Sequence, residues 1–297
     1  MVETLLSAVR RFADVHADPL GVAATAIPGL TAIRADQPGE LQYAISRPLL
    51  ALVVQGGKRV MMGKQTFDFG AGDSMVIAAD VPTVSQITRA DVSKPYYALV
   101  FDLLPSVIAE LTVEMGVVQT GHGAPIRIAR TEGEVADTAS RLMRLVDRPT
   151  AAAMLQTPLI REMHYWLLAG QHGATIRKLG IVDGAAQRIA RAVAVIRSDY
   201  ARPVRAERLA EVAGMSPSTF HKHFRAVTSL SPLQFQKQLR LIEARRMMFS
   251  DGASASTAAY AVGYESVPQF TRDYGRFFGS PPVREVKLAK TRAYEVI

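Results

Sequence analysis

The chain has no cysteine in its 297 residues. That excludes disulfide scaffolds, thiol nucleophiles and cysteine zinc sites, and it suits a reducing compartment. Histidine is also scarce. Its six occurrences are His16, His122, His164, His172, His221 and His223, so residues 17–121 hold none. Long apolar runs are missing too. Stretches such as "LLALVV" fall far short of the roughly 18 residues a membrane span needs, so no membrane partner is expected. The opening "MVETLLSAVRRFADV" lacks a basic segment followed by an apolar core, and it reads as an amphipathic helix, not a signal peptide. A cytoplasmic protein is the expectation. No Gly-rich phosphate loop and no nucleophile elbow is present.

What is there is a globular composition, 48% hydrophobic and 21% charged, with length enough for two domains. The net charge of +8 is unevenly spread. Residues 184–297 hold 18 of the 35 Lys+Arg and 9 of the 27 Asp+Glu, a net +9, which leaves −1 for residues 1–183. A basic domain joined to a near-neutral one points to a polyanion as partner of the basic part. The plainer alternative is a well-solvated basic surface.

Residues 40–102 alternate short apolar segments with turn signals. "PLLALVVQ", "KRVMM", "TFDF", "DSMVIAA", "TVSQIT" and "PYYALVFDL" read as strands of a small antiparallel barrel or sandwich. From residue 104 the period becomes helical, in "LPSVIAELTVEM", "EGEVADTASRLMRLVD" and "AAMLQTPLIREMHYWLLAG". Leu142, Leu145, Met154, Leu159, Trp166 and Leu167 either form a dimer seam there or pack on the barrel. The organisation expected is a regulatory domain over 1–170, a linker over 171–184 and a helical domain over 185–297.

The last third contains a hidden repeat. "LAEVAGMSPSTFHKHFRAVTSLSP" (209–232) resembles "AAYAVGYESVPQFTRDYGRFFGSPP" (258–282). Gly214 matches Gly263, and Phe220, Phe224 and Pro232 match Phe270, Tyr274 and Pro282. A helix, a glycine turn and a second helix, occurring twice, predict two helix-turn-helix motifs over about 205–228 and 254–278. Ser216 and Ser266 are expected to cap the second helix of each. Between them, residues 232–250 predict a connecting helix about 28 Å long at roughly 1.5 Å per residue. Successive major grooves recur at about 34 Å on one face of B-DNA.

On the helix from 217, Phe220, Phe224 and Val227 form the expected buried stripe, which leaves Ser218, His221, Lys222 and Arg225 outside. On the helix from 267, Val267, Pro268, Thr271 and Arg272 are the outward candidates, with Gly275 or Arg276 beyond them. Arg272 suits bidentate contact with guanine, and Lys222 suits a guanine or a phosphate. The plainer reading is that these side chains merely face water. His221 and His223 are not a metal pair. Two residues on a helix turn through about 200°, whereas chelating pairs use three- or four-residue spacing.

With those motifs in view, the chain resembles the AraC family of bacterial transcription regulators. The residues that carry this are "VRAERLAEVAGMSPSTFHKHFRAVTSLSPLQFQKQLRLIEARRMM" and "AYAVGYESVPQFTRDYGRFFGSPPVRE", within 188–288. The resemblance implies that the two motifs enter adjacent major grooves, with Ser218, His221, Lys222, Arg225, Val267, Pro268, Thr271 and Arg272 at the DNA. "RPLLALVVQGGKRVMMGKQTFDFGAGDSMVIAADVPTVSQITRADVSKPYYAL" (47–99) is similar to the companion domain of one subgroup. That implies a cupin-like antiparallel β-barrel with flanking helices, which senses a small-molecule effector. The fold class expected is therefore α+β in two domains. "AYAVGYE" departs from the family near Ala259–Tyr260, where relatives carry a bulkier apolar residue, and suggests looser packing.

No enzyme and no cofactor or metal are expected. Metal cupins use histidines on the barrel strands, and here only His122 borders them. Gln55, Lys58, Gln86 and Arg89 either line a pocket or face water. Double-stranded DNA is the expected partner, with RNA polymerase and a second copy of the chain as further candidates. Rival readings are a barrel enzyme tethered to DNA and a DNA-binding protein without ligand control.

Overall fold

The first helix starts where the sequence offers a cap. In the computed structural model, which describes residues 3–63, 65–116, 124–181 and 183–287, Thr4 accepts from the Ser7 amide at 3.2 Å. Helix α1 (Leu5–His16) follows and buries Ala8, Val9, Phe12 and Ala13 along one stripe. The described strands are β1 (Val22–Ala24), β2 (Leu30–Ala35), β3 (Gln42–Ser46), β4 (Leu49–Gln55), β5 (Gly57–Met62), β6 (Gln65–Gly70), β7 (Asp73–Ile77), β8 (Val81–Arg89) and β9 (Tyr96–Asp102). Then come α2 (Pro105–Glu114), β10 (Ile126–Arg130), α3 (Gly133–Leu145), α4 (Pro149–Ala169) and a single turn, α5 (Gly173–Ile176).

The strands pair antiparallel in two sheets, ordered β1-β2-β9-β4-β7-β10 and β3-β8-β5-β6. Alternation decides what each face meets. Leu50 and Leu52 of β4, with Leu99 and Phe101 of β9, join the core under the helices. Ala51 and Val53 point the other way, as do Tyr96 and Ala98, and they are just as buried. A sheet buried on both faces needs a second layer, and here the four-stranded sheet supplies it. This is the antiparallel β-domain with flanking helices expected from the sequence. The six strand segments quoted from the sequence all appear, as β4 to β9. β1, β2, β3 and β10 lie outside those six segments.

The helices after β9 cover the six-stranded sheet. Leu142, Leu145 and Leu167 are buried in that core, while Leu159 and Trp166 pack against it. Of the candidate dimer seam, Met154 alone is fully exposed. Arg141 of α3 pairs with Glu162 of α4, and the Trp166 indole donates to the same carboxylate at 3.2 Å. In the segment expected as linker, α5 is followed by a 3-10 turn (Arg177–Gly180), and Ile176 and Leu179 are buried in the first core. His122 lies outside the described residues.

The chain divides into two compact units, Met1–Gln187 and Arg188–Ile297. The division falls inside α6 (Ala185–Ser198). The described part of the second unit is helical: α7 (Ala206–Val212), α8 (Pro217–Thr228), α9 (Pro232–Ser250), α10 (Ala255–Ala261) and α11 (Val267–Phe278).

Candidate nucleic-acid interface

Each motif is built from the same local chemistry. The chain leaves α7 through Gly214 at φ 62° and leaves α10 through Gly263 at φ 85°, a left-handed turn that glycine makes without steric cost. At Gly263 nothing else fits, because an added Cβ would stand 1.7 Å from the Ala201 carbonyl oxygen. Ser216 then accepts from the Thr219 amide and Ser266 from the Gln269 amide, each at the start of the second helix. Proline follows in the first turn of both, where no N–H is required.

Aromatic side chains hold the two outer helices down. Phe220 and Phe224 of α8 are fully buried, and Phe224 meets Phe235 of α9 edge-on at 5.7 Å. Thr228, not Val227, completes the stripe. Its hydroxyl is buried and donates to the Phe224 carbonyl at 2.8 Å. In the second motif Phe270 and Tyr274 are fully buried, and the Tyr274 hydroxyl donates to Glu285 at 2.6 Å. The departure in "AYAVGYE" does not loosen this motif. Ala258, Ala259 and Val262 are fully buried, so small side chains bring α10 close to its core, and Tyr260 faces solvent.

α9 ties the motifs together. Ser231 and Gln234 form a reciprocal capping box at its start. Lys237 pairs with Asp273 of α11 at 2.6 Å, and Arg245 with Glu285 at 2.9 Å. Arg240 reaches three backbone carbonyls, those of Tyr200, Ala201 and Gly263, at 2.6–3.0 Å. Burial lowers its pKa from the ordinary arginine value, yet the three acceptors leave it solvated by the backbone. Gln236 adds bonds to the carbonyls of Tyr200 and Arg202. The sequence carries no local signal for this role of Arg240, since its partners lie 23 to 40 positions away.

The predicted contact residues divide by exposure. Ser218, His221, Lys222 and Arg225 are all exposed on α8. Lys222 and Arg225 make no ion pair or hydrogen bond with any described residue. His223 is half-buried and turned off that edge, so the histidine pair is split as helical geometry requires. On α11, Pro268 and Arg272 are exposed, and Arg272 is unpaired among the described residues. Thr271 is half-buried, and Val267 packs against the second core. Gln269, exposed and one residue past Pro268, is a further outward candidate that the sequence analysis does not name. Its amide shares the outward edge with Arg272, three residues on. Two exposed edges with cations and hydrogen-bonding groups, one on each outer helix, can follow a phosphate backbone and reach base edges.

Comparisons with known proteins agree with this build. The family model for the AraC-type transcriptional regulator N-terminus matches residues 26–175, just over half of the chain. A helix-turn-helix domain model matches residues 209–286. The transcriptional activator RhaS of Escherichia fergusonii is 25% identical over 153 residues, 50% of this chain and 53% of its own length. The regulator GbdR of Pseudomonas aeruginosa is 29% identical over 90 residues, 30% of this chain and 24% of its own. Across eight of the curated relatives the match spans between 24% and 66% of their lengths. Among solved structures, apo ToxT from Vibrio cholerae superposes with a TM-score of 0.58 at 10% identity, over 87% of this chain and 97% of that one. The unsaturated fatty acid-bound form of ToxT gives 0.55 at 10% identity, over 87% and 93%. At that identity the likeness is one of fold.

Proposed function

Because this chain belongs to the AraC-type transcriptional regulators, we propose that it binds specific sequences in double-stranded DNA and thereby controls transcription. The observation that carries the reading is the pair of exposed, cation-bearing helices held by one 19-residue helix. At roughly 1.5 Å per residue that helix is about 28 Å long, close to the ~34 Å between successive major grooves. Arg272 reads a guanine through its two parallel donors, and Lys222 reads a guanine or a phosphate. Arg225 contacts phosphate, His221 and Ser218 add polar contacts, and Pro268, Val267 and Thr271 offer small surfaces to base methyls. The excess positive charge of residues 184–297 draws the duplex in without regard to sequence.

The first domain, residues 1–170, binds a small-molecule effector and biases the DNA-binding domain, residues 185–297. That ToxT, a protein of similar fold, has been solved with an unsaturated fatty acid bound supports ligand binding as the reading. Coupling requires that the effector favour one arrangement, since equal affinity for two states shifts neither. A second copy of the chain and RNA polymerase are the expected macromolecular partners, and the protein works in the cytoplasm. Among the described residues no helix is long and apolar enough to cross a membrane. The relatives are named as regulators rather than enzymes.

Footprinting on genomic fragments tests the main reading. A discrete protected site across two adjacent major grooves is expected. Uniform coverage of every fragment overturns it.

A further inference from the structure

An open cleft lies where the turns between β4 and β5, β6 and β7, and β8 and β9 converge. It encloses about 560 Å³, and its walls include Arg89, Asp91, Lys94, Asp73 and Arg130. Arg89 ends β8, and its guanidinium lies over a bare patch of sheet. Gly57 and Gly70 are cross-strand partners there. An added Cβ at Gly57 would stand 2.5 Å from Arg89 Nε, and one at Gly70 would overlap Arg89 Nη2. Neither glycine has a positive φ, so backbone conformation does not call for glycine at either position. The room they leave is taken by the arginine, which is thereby laid along the wall of the cleft.

The acids of the cleft are already engaged. Asp73 Oδ2 accepts from the Gly70 amide at 2.9 Å, and Oδ1 pairs with Arg130 at 2.9 Å. Asp91 holds its own turn. Its Oδ1 accepts from the Ser93 hydroxyl, from the Ser93 amide at 2.9 Å and from the Lys94 amide at 2.8 Å. These bonds, led by that of the Ser93 hydroxyl, and the charge of Lys94 hold the carboxyl below the ordinary carboxylate range, so it stays ionised. Two of the cations are not held in this way. The Arg89 and Lys94 side chains are exposed and make no hydrogen bond or ion pair with any described residue. Three cations against two acids leave the cleft one positive charge. The other polar strand residues singled out by sequence lie elsewhere. Gln55 donates to the Pro95 carbonyl, Gln86 donates to that of Gly39, and Lys58 is half-buried.

A guanidinium offers a phosphate two parallel donors, and an ammonium adds a point charge. A phosphate monoester carries a charge of about −1.5 to −2 near pH 7, which one arginine and one lysine match and a monocarboxylate does not. The remaining walls are Gly56, Gly70, Ala71 and Ala90. Surfaces so small give an acyl chain or an aromatic ring little to pack against, and they leave room for a hydroxylated body beside the phosphate. Asp91 has Oδ2 left to accept from a hydroxyl, since its bonds within the turn all go to Oδ1. We propose that this cleft binds a sugar phosphate, with the phosphate on Arg89 and Lys94 and a sugar hydroxyl on Asp91. The inference rests on the reading of the first domain as the effector domain, and it supplies the place, the chemical class and the residues that select it.

Calorimetric titration of the full chain with glucose 6-phosphate and ribose 5-phosphate, against glucose, ribose and inorganic phosphate, tests it. Saturable binding of at least one ester is expected, at least tenfold tighter than its parent sugar and than inorganic phosphate. Arg89→Met should abolish that preference, Arg89→Lys should recover only part of it, and Lys94→Met should weaken the ester severalfold. Gly70→Ala removes no charge, yet it should weaken the ester as well, because the new methyl displaces the guanidinium. Should Arg89→Met fail to fold, Arg89→Gln carries the same expectation. Arg272→Ala, in the other unit, should bind the ester as the parent does. Binding of neither ester overturns the proposal, as does inorganic phosphate bound as tightly as the ester, or an ester affinity lost in Arg272→Ala and unchanged in the Arg89 variants. Measuring DNA affinity with and without the ester separates the two readings. Unchanged DNA binding beside a bound ester overturns the effector reading and leaves the site, and a normal footprint without ester binding overturns this inference alone.

Discussion

Lys222, Arg225 and Arg272 are exposed cations that no described acid holds, so each keeps its full charge for a partner. They are expected to fail differently. Arg272→Ala should cost roughly 1–3 kcal/mol of binding and relax discrimination at one base position, measured by competition between point-substituted sites. Arg225→Ala should weaken all sequences alike and lower the salt slope by about one contact. Equal loss on every DNA for Arg272→Ala would make it a phosphate contact instead. The two turn glycines also differ. Gly214 has only the Arg188 side chain near its missing Cβ, at 3.7 Å, so Gly214→Ala should cost about 1–2 kcal/mol for its left-handed backbone alone. Gly263→Ala adds a collision with a carbonyl and should cost roughly 2–4 kcal/mol in denaturant unfolding of the second unit. These outward edges were legible in the sequence because helical period alone decides which side of Phe220 and Phe270 a residue takes. Val267 and Thr271 were less legible, since their partial burial depends on neighbours in another helix.

At the scale of elements, α9 is what makes two short helices a single reading surface. Its length was readable from the sequence, which predicts a helix over 232–250, and the structure places it at Pro232–Ser250. Its rigidity was not, because that depends on Arg240, Lys237 and Arg245 meeting partners from other helices. Arg240→Met would leave three carbonyls without their donor, which should destabilise the second unit by roughly 2–3 kcal/mol. Arg240→Lys should recover little, since one ammonium cannot span the same fork. Thermal unfolding of the three proteins checks both statements, and a lysine variant as stable as the parent would reduce Arg240 to simple charge. The strand elements show the same division. β4 to β9 announce themselves by apolar alternation between turn residues, while β1 and β10 take their strand form from pairing with β2 and β7.

Across the whole first unit, two buried histidines make stability depend on pH. The Leu104 amide donates to Nε2 of His164 at 2.9 Å, and the other ring nitrogen meets the Ile160 carbonyl at 2.8 Å. The Ser74 hydroxyl donates to the Ala129 carbonyl, so Nε2 of His172 donates to Ser74, and its buried Nδ1 has no partner among the described residues. Both rings are thus held neutral. Burial lowers the His164 pKa. Burial, then the charge of Arg127, lowers that of His172 to about 4. Between that value and the ordinary value near 6.5 the unfolded chain binds more protons than the folded one. The stabilisation is therefore complete above about pH 6.5 and is lost as pH falls toward 4. For His172 the loss from pH 7.5 to pH 5 should be about 2 kcal/mol. Denaturant unfolding at the two pH values, with His172→Gln for comparison, measures it. An identical pH slope in the variant would remove His172 from the account.

The chain by itself determined the order of its parts, the repeat, the outward edges and the basic bias of residues 184–297, because period, spacing and charge are local or additive quantities. It did not determine how the β-domain is layered or that Leu142 and Leu167 are core. Those outcomes depend on which faces meet across the two sheets and under the helices. A residue's own neighbours in sequence carry no record of that, so the folded molecule alone decides whether a polar strand residue faces water or a backbone carbonyl.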